Sequence, residues 1–373
     1  MTDVRFRHAD FTFVAGDRSR IRSHRAPARM SRRGLIGLAA LAAVPAGVVS
    51  VRALRGGPAD GDTSGTAPQG EEPPAVATPA PAKSSIPVNT LKGGGPVPYV
   101  RDKVLLGSYL NLDGMSESAA LHLRREQLGR SPRIVHVFYG WTDNLPQRLS
   151  YLPDKAYPMV SWRGTDHASI LSGEHDELIA RNARRLRRFG RPLLLRWGWE
   201  MNGDWYAWGG AKNDDDPDGY VRCWRRLRDI FADQDADNVS WVWSPNWNSS
   251  PDESWNAMDA YYPGDEYVDW VGVSGYNLHR ETPDTLFGPV YRAYTDRKPL
   301  LISEVGAVDR GGSTKADWIA LFAAWCRAHP RTGGVAWFDT DTHPGYHEKW
   351  RVDTDPASLA AYRAMAEDPH FSA

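Results

Sequence analysis

Two glutamates stand out by their surroundings. Glu200 lies in the run Arg196-Trp197-Gly198-Trp199-Glu200-Met201-Asn202-Gly203-Asp204-Trp205-Tyr206-Ala207-Trp208, a carboxyl group among four indoles and a phenol. Apolar surroundings raise a carboxyl pKa, which a group that must donate a proton near neutrality needs. Flat aromatic rings are also what the apolar faces of sugars stack on. Glu304 ends the apolar run Leu300-Leu301-Ile302-Ser303 and is followed by Val305-Gly306. That is the pattern of a strand delivering a carboxylate to its tip. Two carboxyl groups facing one cleft are the minimum set for breaking a glycosidic bond. At a separation of about 5–5.5 Å one attacks carbon while the other protonates the leaving oxygen, and configuration is retained. A lone glutamate more often opens a helix and favours its dipole; the four indoles argue against that reading of Glu200.

The elements that must position this pair are legible from periodicity. Short apolar runs at Val104–Tyr109, Ile134–Phe138, Pro158–Trp162, Leu193–Trp197, Val239–Ser244, Trp270–Ser274, Leu300–Ser303 and Val335–Phe338 read as strands. Longer stretches with helical spacing fall between them, such as Asp176–Phe189 with its stripe of Leu178, Ile179, Ala183 and Leu186. Pro356–Ala366 supplies a last helix. Eight alternating units predict a (β/α)8 TIM barrel, with Glu200 and Glu304 at the carboxyl ends of the fourth and seventh strands, where such barrels carry their chemistry. No strand is followed by a dinucleotide or phosphate-binding glycine motif, so nucleotide binding has no support.

The segments Arg196–Trp208, Gly275-Tyr276-Asn277 and Ile302-Ser303-Glu304 together resemble glycoside hydrolase family 26, which contains the endo-β-mannanases. Trp241-Val242-Trp243-Ser244-Pro245-Asn246 and Tyr262-Pro263-Gly264-Asp265 fit the same pattern. The resemblance implies a retaining mechanism on a β-linked polysaccharide, β-1,4-mannan first, with no metal and no cofactor. It implies that Glu200 is the acid/base and Glu304 the nucleophile. Tyr276 matches the tyrosine that hydrogen-bonds the nucleophile, and Arg196 the arginine beneath it, a cation that would keep Glu304 ionised. Trp337 matches the aromatic floor of the sugar site and Trp205 the tryptophan beside the scissile bond. Two positions depart from the mannanase pattern. Trp199 stands where the family has histidine before the acid/base, and an indole offers one donor and no acceptor. Ser274 stands where mannanases commonly carry aspartate. Mixed-linkage β-glucan and β-1,3-xylan are the alternative substrates, and a transglycosylase or an inert polysaccharide-binding barrel the alternative functions.

The rest of the chain frames this domain. All 16 tryptophans lie at or beyond Trp141 in a chain of 373 residues. Residues 1–55 are expected to be an N-terminal extension with a twin-arginine-type export signal, Ser31-Arg32-Arg33-Gly34-Leu35-Ile36 entering a modest apolar stretch. That stretch either is cleaved or stays as a membrane anchor, placing the enzyme outside the cell or at its surface. Residues 56–98, rich in Pro, Ala and Gly, read as a disordered linker, and 99–373 as the catalytic domain. A net charge of -1 gives no basic field for nucleic acid, and the enzyme is expected to be a monomer. Cys223 and Cys326 fall on the fourth and seventh outer helices, too far apart for a disulfide. The run Asp214-Asp215-Asp216-Pro217-Asp218-Gly219 is half of a calcium loop, with Arg225 where the bidentate glutamate belongs. Asp216 or Asp218 as a helix cap is the better reading. His343 and His347 are separated by Pro344 and Gly345, which forbid a helical metal pair.

Overall fold

The computed structural model describes residues 97–341 and 349–372. The expected leader, most of the linker, and His343 and His347 lie outside them. The strands β1 (Leu105–Asn111), β2 (Ile134–Tyr139), β3 (Tyr157–Trp162), β4 (Leu193–Trp197), β5 (Val239–Trp243), β6 (Trp270–Asn277), β7 (Leu300–Ala307) and β8 (Thr332–Thr340) close into a barrel in sequence order. Every pair is parallel, β8 returning onto β1. This is the (β/α)8 barrel that the alternation predicts. Helices α1 (Glu117–Leu128), α2 (His167–Leu171), α3 (Asp176–Phe189), α4 (Pro217–Asp233), α5 (Pro283–Tyr294), α6 (Thr314–Ala328) and α7 (Pro356–Glu367) surround it. The expected one-to-one alternation is corrected at two places among the described residues. The β2–β3 connection contains no helix, and the β5–β6 connection contains only short 3-10 turns.

Local chemistry accounts for the helix ends. The Ser116 hydroxyl accepts from Ala119 N at 3.3 Å to open α1, and Gly129, at φ 69°, ends it. Asp355 accepts from Ala357 N and Ser358 N at 2.8 and 2.9 Å to open α7, with Pro356 in its first turn. Asp216 occupies the position before α4, but its carboxylate bonds no helix N–H. It pairs instead with Arg222 at 3.0 Å. Cys223 on α4 and Cys326 on α6 are buried free thiols.

The barrel interior is layered. Leu105, Ile134, Met159, Leu194, Val242 and Leu301 belong to the apolar floor. Val97, assigned above to the linker, is buried against them, and its N–H reaches Ser240 Oγ at 3.2 Å. At odd offsets from these floor residues the side chains turn outward, and here the tryptophans pack on the helices. Trp197 stacks on Tyr220 of α4 with centroids 5.4 Å apart, and Trp241 meets Phe231 edge-on at 5.0 Å. Two residues beyond the floor, the inward positions turn small or polar. Gly107 is there because nothing else fits: a Cβ would lie 2.1 Å from Ile134 O and 2.5 Å from Ile134 Cβ. Both belong to the neighbouring strand, whose backbone cannot retreat without opening the ladder. Gly107→Ala should therefore destabilise the barrel by about 2–3 kcal/mol, read as a lower denaturant midpoint with an unchanged m value.

Candidate active site

Arg196, the inward residue near the end of β4, is 0% exposed, and all three nitrogens of its guanidinium are engaged. Nε donates to Ser244 Oγ at 3.0 Å, Nη1 to Ser161 Oγ at 3.3 Å and Nη2 to Ser274 Oγ at 2.5 Å. Nη1 also donates to Glu304 Oε1, forming a buried ion pair. Each of the three serines can pass its own hydroxyl proton onward. Ser161 lies 2.7 Å from His136 Nε2, and Ser244 lies 2.8 Å from Ser303 Oγ, which donates to Val273 O at 3.0 Å. The nearby Ser274 hydroxyl offsets part of the rise in the Glu200 pKa. Burial first, and the adjacent Arg196 second, hold the His136 imidazole well below its usual pKa, so it is neutral and free to accept.

Glu304 reaches this network through a β-bulge. Val273 pairs with Ile302 and Ser274 with Glu304, so Ser303 is an extra residue on β7. Without it, strand alternation would turn Glu304 away from the interior; with it, Ser303 and Glu304 both face inward. The second carboxylate oxygen, Oε2, accepts from the Tyr276 hydroxyl on β6. Burial, then the charge of Glu304, raises the Tyr276 pKa well above its ordinary value, so the phenol remains a donor throughout the working pH range.

Glu200 is held differently. Gly198 and Glu200 both take positive φ, 54° and 55°, a conformation that costs a non-glycine residue about 1 kcal/mol or more. The bend is fastened by Glu200 N donating to Ser244 O at 2.8 Å. Asn202, fully buried, ties the same loop to the one after β5: Asn246 N donates to its Oδ1 at 2.8 Å and Asn256 Nδ2 to its backbone carbonyl at 2.9 Å. The Glu200 carboxyl accepts from Trp205 Nε1 at 2.9 Å. Burial, and after it the charge of Glu304, lift its pKa to about 7. The two carboxyls thus differ in kind: one is saturated with donors, the other desolvated.

Of the residues expected from sequence, the structure brings together Arg196, Glu200, Trp205, Tyr276 and Glu304. Trp199 borders the group but is 1% exposed. Its ring lies over the Arg196 guanidinium at 5.3 Å and edge-on to Phe138 at 5.4 Å, so it walls the cation and presents no open face to a ligand. The expectation for Trp337 is corrected. Alternation along β8 turns Ala336 into the floor, so Trp337 points outward, against Trp318 of α6 and Tyr362 of α7. The aromatic that β8 places in the mouth is Phe338, stacked on Tyr109 at 5.1 Å and edge-on to Tyr276 at 5.7 Å. The reading from sequence missed His136, Tyr109, Phe338 and the roles of Ser161, Ser244 and Ser303. The available signal was parity: each stands an even number of residues beyond a floor residue of its strand, Ser244 and Ser303 as the last residues of the strands expected above.

A model of glycosyl hydrolase family 26 matches residues 154–354, and the chain belongs to that family. It is 30% identical over 267 residues to Endoglucanase H of Acetivibrio thermocellus, covering 66% of this chain and 29% of that protein. It is 29% identical over 198 residues to a beta-1,3-xylanase of a Vibrio species, covering 52% of this chain and 37% of that one. The chain thus spans well under two thirds of the length of these relatives. A family 26 beta-mannanase from Bacteroides ovatus shares the fold with a TM-score of 0.56 at 17% identity, over 73% of this chain and 90% of that one.

The electrostatics make a prediction that needs no substrate. A carboxyl whose folded pKa is raised from its ordinary value near 4.5 to about 7 binds its proton more tightly in the folded state. Its stabilising contribution is complete below about pH 4.5 and is lost as pH rises through about 7. Glu200→Gln should therefore gain on the wild type across that window, by roughly 3 kcal/mol. The gap should then stay constant above it, as followed by thermal unfolding from acid to mildly alkaline buffer.

Proposed function

We propose that this chain is an endo-acting, retaining glycoside hydrolase of β-linked polysaccharide, with β-1,4-mannan as its first substrate. The observation that carries the reading is the asymmetry of the pair. Glu304 is ionically and hydrogen-bonded at both oxygens, whereas Glu200 sits desolvated with a pKa near that of water-exposed histidine. In the first step a Glu304 oxygen attacks the anomeric carbon as the Glu200 proton passes to the departing glycosidic oxygen. A glycosyl–Glu304 ester forms and the reducing-end fragment leaves. In the second step Glu200, now a carboxylate, takes a proton from water, which attacks the same carbon and frees Glu304. Arg196 and the Tyr276 hydroxyl receive negative charge back on the Glu304 carboxylate as the ester breaks, without having to reorient. Trp205, half-buried beside the Glu200 carboxyl, provides the stacking face at the cleavage point, and the Tyr109–Phe338 pair a second apolar surface beside Glu304.

Mannan is supported by family membership and by the likeness to the beta-mannanase fold. A second reading, mixed-linkage β-glucan, is favoured by Trp199, which leaves no imidazole to bond the sugar at the reacting site, and by the likeness to an endoglucanase. Among the described residues no helix is long and apolar enough to cross a membrane. Export through the paired arginines Arg32 and Arg33 remains part of the proposal, tested by protease shaving of intact cells.

Purified mannan, mixed-linkage glucan and β-1,3-xylan should be compared by reducing-sugar release, and the anomer formed first read by NMR. Release of the β-anomer is expected, and initial α-product would exclude a Glu304 ester. Glu304→Ala should lower turnover by roughly a thousandfold or more, and full turnover in that variant would overturn the assignment. Trp205→Phe deletes the donor that favours the Glu200 carboxylate. It should move the alkaline limb of the kcat/KM profile upward by roughly half a pH unit.

A further inference from the structure

One segment outside the catalytic pair sits directly behind Tyr276. Trp350 packs on that phenol ring with centroids 5.0 Å apart at 58°. It also occupies the space above Gly306, where a Cβ would meet Trp350 Cε3 at 2.8 Å and Tyr276 Cδ1 at 3.1 Å. Three consecutive carbonyls at this ring are held from the outer layer of the barrel. Trp350 O accepts from Trp337 Nε1 at 2.8 Å. Lys315 Nζ, in the first turn of α6, donates to Lys349 O at 3.3 Å and to Arg351 O. Its third acceptor is Thr354 Oγ1 at 3.3 Å. An ammonium has three N–H donors, and three oxygens take them. Lys315 is only 1% exposed, and a lysine is buried at a cost that calls for such satisfaction.

We propose that Lys315 is a positioning residue. With Trp337 it clamps Trp350 onto Tyr276 and so keeps the Tyr276 hydroxyl on Glu304. The kinetic consequence rests on the hydrolase reading; the clamp itself does not.

The clamp carries its own pH dependence. Asp309 from the β7–α6 connection, Asp339 of β8, and Asp353 and Asp355 ahead of α7 all face Lys315. Two of them are already committed: Asp339 pairs with Arg124 at 2.5 Å, and Asp353 with Arg124 at 2.8 Å and Arg351 at 2.7 Å. Burial therefore outweighs them and brings the Lys315 pKa down to about 8. The neutral amine has two N–H groups and a lone pair, so one of its three oxygens then faces that lone pair. The clamp is complete below about pH 8 and slackens above it.

The test uses Lys315→Met, nearly isosteric and without donors, and Trp337→Phe, which keeps the ring and deletes Nε1–H. The substrate is an aryl β-mannobioside with a dinitrophenolate leaving group. That group departs without a proton, so loss of the Glu200 proton produces no alkaline limb. Lys315→Met should lower kcat roughly tenfold with KM changed by less than about twofold, and Trp337→Phe should lower it by about threefold. Wild-type turnover should fall above about pH 8 while Lys315→Met stays flat there. Hydrogen exchange of amides 349–354 should be faster in both variants, and in the wild type above that pH once the intrinsic rate is removed. Wild-type kcat and wild-type exchange in Lys315→Met would overturn the proposal. If that variant does not fold, unchanged exchange in Trp337→Phe overturns it instead. A wild type that cleaves no glycoside while its exchange responds as described would sink the hydrolase reading and leave the clamp standing.

Discussion

A single arginine without water at the centre of a barrel is the constraint that most of this site answers to. Desolvating a guanidinium and a carboxylate costs several kcal/mol per ion unless geometry and further hydrogen bonds return it. Arg196 obtains that return from four directions: Ser161 on β3, Ser244 just past β5, Ser274 on β6, and Glu304 on β7. The serines are small because the barrel narrows around the cation, and hydroxylic because an apolar residue would leave an N–H orphaned. Each accepts from the guanidinium; Ser161 also meets His136, and Ser244 meets Ser303, whose hydroxyl donates to Val273 O. His136 can terminate one branch because it is uncharged, a consequence of its own burial and of the cation beside it.

The same cation sorts the two carboxyls. Glu304 bonds it directly, whereas Glu200 feels it only as a nearby charge. Like charges sharing a dry site cannot both ionise freely. Burial and then the charge of Glu304 raise the Glu200 pKa, and the attraction of Arg196 offsets only part of that rise. The proposed acid and nucleophile roles fit these positions relative to Arg196. Ser274 in place of aspartate fits this arrangement, since a third carboxylate here would compete for the same guanidinium.

How much of this was legible in the sequence depended on which period carried the signal. The strands and their order were legible because apolar runs of four to six residues alternate with amphipathic helices such as α3, whose buried Ile179, Asn182, Ala183 and Leu186 repeat at helical spacing. The expected ends of β6 and β7 fell short. Both strands continue through Tyr276 and Glu304 to Asn277 and Ala307, and the polar groups of the site interrupt the hydrophobic pattern that marks a strand. The bulge at Ser303 was invisible for a related reason: one extra residue leaves composition unchanged and only reverses parity. Parity also governed Trp337 and Phe338. Both are aromatic and adjacent, and only the inward Ala336 decides which of them faces the mouth.

That reversal changes what an aromatic-rich motif means in this fold. Trp162, Trp197, Trp241, Trp243 and Trp337 are all fully buried, and each stands one residue from an inward position of its strand. They form the joint between strands and helices, and Trp337 shows how that joint reaches the chemistry. Its N–H holds a carbonyl of the segment whose ring supports Tyr276. The Glu304 half of the site is thus braced from β8, α6 and the chain ahead of α7. The Glu200 half is braced separately by Asn202 across the loops after β4 and β5. The two halves meet through Arg196 and through Ser244, whose carbonyl accepts from Glu200 N and whose hydroxyl bonds Ser303 Oγ, next to Glu304.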